Sequence, residues 1–255
     1  MLETLTRLRH ARLRDVLSGL MVSLVLFGCA LRKPGGPIPV KEMPAPQQSL
    51  SRPLIIVLPG RGDDLDYLAA SGMAAAVQQA WPQADVLLAG VTLSYVAEGK
   101  VAERLHDEII EPARRRGYHE IWLTGASLGG MNALLYERRY PHDVTGLVLY
   151  APFMGPPSLI RKIADAGGPA VWDPGPLPTA VDKDNYAIEM WRVVKTSPDR
   201  IWLACGDQDR FIDAAKLIST MLPPEHFIQG QGGHEWPVWD RGATDVFTRI
   251  AASHP

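Results

Sequence analysis

The sequence predicts an α/β fold in which helices cover both faces of a mostly parallel β-sheet. From Leu54 onward, short apolar runs rich in β-forming residues alternate with longer runs of helical period, the pattern of strands joined by crossover helices. The run Leu54–Leu58 contains no polar residue, as expected for a strand buried on both faces. An apolar content of 46% is enough for one large core. We therefore expect a single folded domain over residues 54–255.

The individual elements follow from local patterns. Asp64 can cap the first helix, and Asp63 beside it is also better explained by helix capping than by catalysis. Strands are expected at 54–58, 84–88, 121–124, 144–150, 201–205 and 226–229. Helices are expected from Asp64 to about Ala80, over 98–116, up to about Tyr140, and over 213–221 and 236–253.

Residues 152–197 interrupt this alternation. They are rich in proline and glycine, including Pro156-Pro157 and Gly167-Gly168-Pro169, and they are too irregular for another strand and helix unit. We expect a small, irregular cap insertion that lies over the edge of the sheet, with a helix around 186–194.

Composition excludes several classes of function. The 26 basic side chains are balanced by 28 acidic ones, so the chain lacks the basic surplus with which proteins neutralise nucleic-acid phosphates. The two cysteines, Cys29 and Cys205, lie in such different contexts that a disulfide between them is not expected. The sequence has no Cys or His spacing typical of a metal site. We expect no metal and no cofactor.

The first 29 residues have the pattern of a targeting signal. Four arginines precede an uncharged apolar run, Val16 to Leu31, that is shorter than the roughly 18 to 20 residues needed to span a bilayer. The end of the run contains Leu26-Phe27-Gly28-Cys29, which resembles the lipobox of bacterial lipoproteins. The resemblance implies cleavage before Cys29 and acylation of its sulfur. Phe27 departs from that pattern, since lipoboxes usually carry a small residue there, and an uncleaved helix with an incidental cysteine is the alternative.

Residues 30–53 are expected to be a tether. They are rich in proline and glycine and show neither helical nor strand period, which is typical of an extended, semi-rigid spacer. Together with the signal, this segment predicts a protein of the bacterial cell envelope. The folded domain would be held to the membrane by lipid and would face the periplasm or the exterior; which membrane receives it stays open.

Ser127 is the candidate nucleophile. It lies in Gly125-Ala126-Ser127-Leu128-Gly129, directly after an expected strand and before an expected helix. Glycines permit the tight, strained turn that exposes a serine hydroxyl at the carboxyl edge of a sheet. A serine hydroxyl attacks at neutral pH only when an oriented base removes its proton. The rest of the chain must therefore supply a base and an acid.

Asp209 and His234 are the candidate acid and base. Asp209 ends the turn Gly206-Asp207-Gln208-Asp209 after an expected strand, and His234 follows a glycine pair after the last strand. The chain order of serine, acid and histidine is that of α/β-hydrolases rather than of other triad enzymes. Asp207 remains the alternative acid.

These motifs together resemble the α/β-hydrolase superfamily, and they cover nearly everything from Leu54 to the C-terminus. The resemblance implies an α/β-hydrolase fold and a serine hydrolase activity. It also implies an oxyanion hole made by two backbone N–H groups, those of Leu128, just after the nucleophile, and of Arg61, just after Pro59-Gly60. The family usually has His-Gly where this chain has Pro59-Gly60. Proline at this place removes a backbone donor and stiffens the turn.

The expected reaction is hydrolysis of a small-molecule acyl substrate, preferably a carboxylic ester, through an acyl-serine intermediate. The alternatives are a peptidase, amidase or thioesterase with the same triad, or a surface-tethered binding protein that has the fold without the reaction. Motifs alone do not choose the substrate, because many chemistries share one scaffold. The oligomeric state also stays open.

Overall fold

The computed structural model describes residues 36–49 and 52–253. The signal segment 1–29 and the candidate lipidation site Cys29 lie outside these ranges. Within the described residues, seven strands form one sheet. The strands are β1 (Val40–Met43), β2 (Leu54–Leu58), β3 (Asp85–Ala89), β4 (Ile121–Ala126), β5 (Gly146–Tyr150), β6 (Ile201–Gly206) and β7 (Phe227–Gly230).

The sheet has the spatial order β1-β3-β2-β4-β5-β6-β7. β1 pairs antiparallel with β3, and every other neighbouring pair is parallel. Because the carboxyl ends of parallel strands meet at one edge, the loops after β2, β4, β6 and β7 emerge on the same side of the sheet. Those loops carry the candidate site residues.

Nine helices connect or flank the strands in the described part of the chain. One of them, α4, contains a π-helical turn at His106–Ile110 between two α-helical parts, Val101–Leu105 and Glu111–Arg115. The others are α1 (Leu65–Ala70), α2 (Met73–Ala80), α3 (Leu93–Glu98), α5 (Leu128–Arg139), α6 (Pro157–Asp165), α7 (Tyr186–Thr196), α8 (Ile212–Ser219) and α9 (Trp236–Ala252).

Two apolar cores lie on opposite faces of the sheet. Alternate residues of β2 show the division, since Ile56 and Leu58 belong to one core whereas Ile55 and Val57 belong to the other. Helices α3 to α8 contribute to the first core, and α1, α2 and α9 to the second. The predicted fold class is confirmed: a mostly parallel sheet has helices on both faces.

Glycines with positive φ divide one predicted helix and delay the start of another. Gly72, at φ +97°, separates α1 from α2 inside the expected helix 64–80. Gly99, at φ +72°, ends α3, so the expected helix 98–116 begins at Val101 instead. A residue in the left-handed region cannot continue a right-handed helix, and glycine adopts that region at little cost.

The expected tether is wrong over part of its length. Val40–Met43 forms the edge strand β1, paired with Val86–Ala89 of β3. Ile38 is only 5% exposed, and its N–H donates to Glu108 Oε2 over 2.6 Å. Prolines on either side of the strand are compatible with an edge position, where half of the backbone groups have no ladder partner. The folded domain therefore begins before Leu54.

The cap insertion is more ordered than expected. Besides α7, it contains α6, which begins at a proline because the first position of a helix needs no N–H donor. The insertion also reaches the main core, since Trp191 is fully buried and its Nε1 donates to the carbonyl of Met154. The cap insertion is therefore part of the main apolar core.

The carboxylate of Glu189 joins the cap to α5. Glu189 is fully buried and accepts from Arg138 Nε over 2.5 Å and from Arg192 Nε over 3.0 Å. Arg138 belongs to α5, and Arg192 also donates to the carbonyls of Gly175 and Pro176. The irregular part of the cap is thus connected through one carboxylate to the helix that follows Ser127.

No helix in residues 36–49 and 52–253 is both long enough and apolar enough to cross a membrane.

Candidate active site

Ser127 occupies a strained turn between β4 and α5. Its backbone has φ +52° and ψ −107°, a conformation that residues with a side chain rarely adopt. Three hydrogen bonds hold it there: its N–H donates to the Tyr150 carbonyl, and its own carbonyl accepts from Met131 and Phe153. The strain is therefore maintained by backbone contacts with the end of β5 and the first turn of α5.

The glycines around Ser127 are required by close backbone contacts. A Cβ on Gly125 would lie 2.5 Å from the carbonyl carbon of Gly129, and a Cβ on Gly129 would lie 2.5 Å from the carbonyl oxygen of Leu58. A Cβ on Gly130 would lie 2.8 Å from the side chain of Pro152. The α5 N-terminus can pack against the end of β2 only because these positions lack side chains.

His234 is oriented by Asp209. The imidazole Nδ1 lies 2.9 Å from each carboxylate oxygen, and the Asp209 side chain is fully buried. Asp209 Oδ1 also accepts from the Phe211 N–H over 2.8 Å. An acceptor-only carboxylate at Nδ1 keeps the proton on that nitrogen, which leaves Nε2 as the basic atom. Asp209, and not Asp207, is therefore the carboxylate that contacts His234.

Asp207 has a different contact. Its Oδ1 accepts from the Gly232 N–H over 2.9 Å, and the residue is exposed. The N–H groups of Asp207 and Gln208 donate to the carbonyls of Gly230 and Gly232. A Cβ on Gly206 would collide with the Gly232 backbone. The turn that carries Asp209 is therefore packed directly against the loop that carries His234.

Aromatic rings enclose the His234 imidazole. The rings of Phe211 and Trp239 meet it edge to face, with centroids at 4.9 and 4.8 Å. Phe211 in turn meets Phe153 at 5.7 Å, and the Phe153 N–H donates to the Ser127 carbonyl. His234 Nε2 is buried and has no hydrogen-bond partner among the described residues. No hydrogen bond joins it to Ser127, but the rings of Phe211 and Phe153 link the imidazole to the residue whose N–H binds the Ser127 carbonyl.

Within the described part of the chain, the backbone N–H groups of the two candidate oxyanion donors, Leu128 and Arg61, are free to bind a ligand. The Ser127 carbonyl is held by Met131 and Phe153, and a trans peptide directs the Leu128 N–H away from that carbonyl. The Gly60 carbonyl is held in the same way by the Asp63 N–H, which directs the N–H of Arg61. Neither Leu128 N–H nor Arg61 N–H donates to another of the described residues. Both are therefore unengaged donors.

The fold around this site matches known hydrolase structures. Est1E from Butyrivibrio proteoclasticus superposes with a TM-score of 0.54 at 16% identity, covering 84% of this chain and 93% of that one. A monoacylglycerol lipase of Paleococcus ferrophilus gives 0.54 at 15% identity over 86% of this chain and 100% of that one. An S-formylglutathione hydrolase of Staphylococcus aureus gives 0.53 at 16% identity, covering 79% and 83%. This chain has the α/β-hydrolase fold.

No family model matches the sequence, and no curated protein matches it either. Identities near 15% support the α/β-hydrolase fold and leave the reaction to be argued from the site.

The structure places the predicted site residues at one edge of the α/β-hydrolase sheet. Ser127 and Leu128 follow β4, Asp209 follows β6, His234 follows β7, and Arg61 follows β2. It brings Asp209 and His234 into contact, and it puts the Arg61 turn beside the Ser127 turn, because Gly129 packs against the end of β2.

Sequence reasoning missed three residues of this site. Phe153 and Phe211 form the ring pair between nucleophile and base, and they look like ordinary loop aromatics in the sequence. Asp63 was expected to cap a helix, and this is wrong: Asp64 alone caps α1, through the Tyr67 N–H, whereas Asp63 bonds elsewhere. Its position two residues after the candidate oxyanion donor Arg61 was the available signal.

Cys205 is buried at the end of β6. Burial raises the pKa of its thiol to about 12, so the nucleophilic thiolate is disfavoured. Among the described residues, no three His, Cys, Asp or Glu side chains cluster as metal ligands would.

Proposed function

We propose that this protein is a serine hydrolase that cleaves a carboxylic ester through an acyl intermediate on Ser127. One observation carries the proposal: buried Asp209 holds Nδ1 of His234, while Nε2 of the same ring is unengaged at the sheet edge where Ser127 is strained. An orienting acid, an oriented imidazole and a serine at the carboxyl edge of the sheet are the parts that nucleophilic acyl transfer needs. Catalytic hydrogen bonds to the serine are often absent before substrate binds.

The reaction proceeds in two halves. Ser127 Oγ bonds to the acyl carbon while its proton passes to His234 Nε2, and Asp209 stabilises the resulting imidazolium. The N–H groups of Arg61 and Leu128 stabilise the oxyanion. The tetrahedral intermediate then breaks its bond to the alcohol oxygen, which takes the proton from His234. Water repeats the sequence on the acyl-enzyme and releases the acid and free Ser127.

The favoured substrate is an ester with an apolar or aromatic group near the scissile bond. Phe153 and Phe211 support this choice, because both are partly exposed and together they link the Ser127 turn to the His234 ring. Apolar rings desolvate a substrate and favour apolar partners. A structure of Est1E is described with bound ferulic acid, an aromatic carboxylic acid. The same triad could cleave an amide or a thioester, so substrate panels must compare all three.

A fluorophosphonate probe tests the proposal. The probe should label the purified protein at Ser127, and Ser127→Ala should abolish both labelling and hydrolysis of p-nitrophenyl butyrate. Ser158→Ala is the matched control, since Ser158 is exposed on α6 and should leave both intact. An unlabelled parent protein would instead support the binding-protein alternative. Faster turnover of aminoacyl amides or acyl thioesters than of esters would replace the ester assignment.

We also propose that the protein is lipid-anchored in a bacterial envelope through Cys29. The support is the sequence alone: the basic head, the short apolar run and Gly28-Cys29. Two or more acyl chains would suffice for lasting attachment. Intact-mass analysis of protein extracted from membranes should show the diacylated Cys29 as the mature N-terminus. Cys29→Ser should release the protein from the membrane fraction, and unmodified full-length protein in that fraction would refute the proposal.

A further inference from the structure

Asp63 connects two loops that are distant in the sequence. Its Oδ2 accepts from the Gly60 N–H and from Trp236 Nε1, each over 3.1 Å. The first bond lies within the turn after β2, and the second reaches the beginning of α9. Capping of α1 does not require this residue, because Asp64 performs it.

One end of this connection fixes a peptide plane. Asp63 holds Gly60 twice, since its carboxylate accepts from the Gly60 N–H and its own N–H donates to the Gly60 carbonyl. A trans peptide places the Arg61 N–H opposite the Gly60 carbonyl, so the direction of that donor is set by Asp63. The turn lies close to the nucleophile: a Cβ on Gly60 would be 4.0 Å from the carbonyl oxygen of Ala126.

The other end supports the base. Trp236 lies two residues after His234, and its ring meets Trp239 at 5.2 Å. Trp239 meets the His234 imidazole at 4.8 Å. A hydrogen bond that fixes the Trp236 ring therefore also limits where Trp239 and His234 can move.

The Asp63 carboxylate is partly buried and therefore partly desolvated. Burial raises its pKa, and the hydrogen bonds from Trp236 and Gly60 act in the opposite direction. A desolvated acceptor binds its donors more strongly than an exposed one does, so these two bonds are strong constraints on the loops that they join.

We propose that Asp63 is a positioning residue. It fixes the direction of the Arg61 N–H, the candidate oxyanion donor, and the place of the Trp236 ring, which packs on His234 through Trp239. The inference rests on the proposed acyl-transfer function. Asp63 acts through the acceptor Oδ2 and does not touch the substrate. Its contribution should therefore appear in kcat, because a misdirected donor weakens binding of the transition state more than binding of the substrate.

Three variants test this role. Asp63→Ala removes the acceptor, and kcat for p-nitrophenyl butyrate should fall about 10- to 100-fold, below the roughly 10²- to 10³-fold cost of deleting an oxyanion donor outright. KM should stay within about threefold. Asp63→Asn should keep kcat within about threefold, because Oδ1 accepts no bond from the described residues and the amide nitrogen can take its place. Asp64→Ala, the matched neighbour, should leave kcat unchanged and cost about 1 kcal/mol of stability.

Each result decides the matter. Unchanged kcat in Asp63→Ala, an equal loss in Asp63→Asn, or an equal loss in Asp64→Ala would overturn the role. A loss confined to KM would overturn it too. If Asp63→Ala does not fold, Trp236→Phe keeps a ring and removes one donor; kcat should then fall several-fold, and an unchanged kcat would refute the connection. Fluorophosphonate labelling of the parent separates the two ideas, since an unlabelled Ser127 refutes the proposed function itself.

Discussion

Asp209→Asn is the sharpest test of the candidate triad. Both carboxylate oxygens lie 2.9 Å from His234 Nδ1, so an asparagine must place its amide nitrogen within that distance whichever way the amide turns. Because the Phe211 N–H needs an acceptor at the Oδ1 position, the amide nitrogen takes the Oδ2 position. There it donates to Nδ1 and favours the imidazole tautomer with its proton on Nε2. Nε2 is the atom that has to accept the serine proton. The substitution changes protonation while the shape of the side chain stays almost the same.

The structure also gives the size of the electrostatic loss. A carboxylate and an imidazolium about 4 Å apart attract by about 4 kcal/mol at an effective dielectric constant near 20. Because about 1.4 kcal/mol corresponds to a factor of ten in rate, removal of the charge lowers kcat by about 10³. The unfavourable tautomer adds to this, so we expect a total fall of about 10³ to 10⁴. Substrate binding does not involve Asp209, and KM should change little.

Steady-state hydrolysis of p-nitrophenyl butyrate measures the effect, with Asp207→Asn as the control. Among the residues that the structure describes, Asp207 accepts only from the Gly232 N–H, an interaction that asparagine retains, so its variant should keep kcat within about threefold. Circular dichroism establishes that both variants are folded. A kcat for Asp209→Asn within tenfold of the parent would refute the assignment, and a large loss in Asp207→Asn alone would transfer the role to Asp207.

Three further predictions concern stability. Gly206→Ala should lower the free energy of unfolding by about 2 to 4 kcal/mol in urea titrations and reduce activity, because its Cβ collides with the Gly232 backbone and separates the acid and base loops; near-wild-type stability would contradict this. Burial raises the pKa of Asp240 from about 4 to about 7, so the carboxyl binds its proton more tightly in the folded than in the unfolded state. The stability that this protonated carboxyl contributes is therefore lost as pH rises from about 4 through 7. The half-buried carboxyl keeps some solvent screening, so Asp240→Asn should gain about 1 to 2 kcal/mol over the parent at pH 8 and nothing near pH 4 in thermal melts; parallel pH profiles would be inconsistent. Glu189→Gln should cost about 3 kcal/mol, since Arg138 is left without its anionic partner, and an unchanged melting temperature would argue against the buried ion pair.

The sequence determined the features that depend on neighbouring residues. Apolar runs predicted the central strands, because a strand buried on both faces consists almost wholly of apolar residues. The Ser127 turn was visible because its strained backbone needs glycines at fixed spacing. Asp209 was separated from Asp207 by its place in a four-residue turn. Each of these requirements acts within a few residues of the chain, so each leaves a readable pattern.

Only the tertiary structure decided features whose partners are far apart. β1 exists because the edge of β3 offers ladder partners, and a four-residue strand between prolines carries no period of its own. Asp63 bonds to Trp236 across 173 positions, a pairing that no local pattern encodes. The Phe153 and Phe211 rings meet because β5 and β6 are neighbours in the sheet. Steric requirements of a strand or turn act on adjacent residues and therefore show in the sequence. Long-range contacts form only when the sheet brings distant loops to one edge.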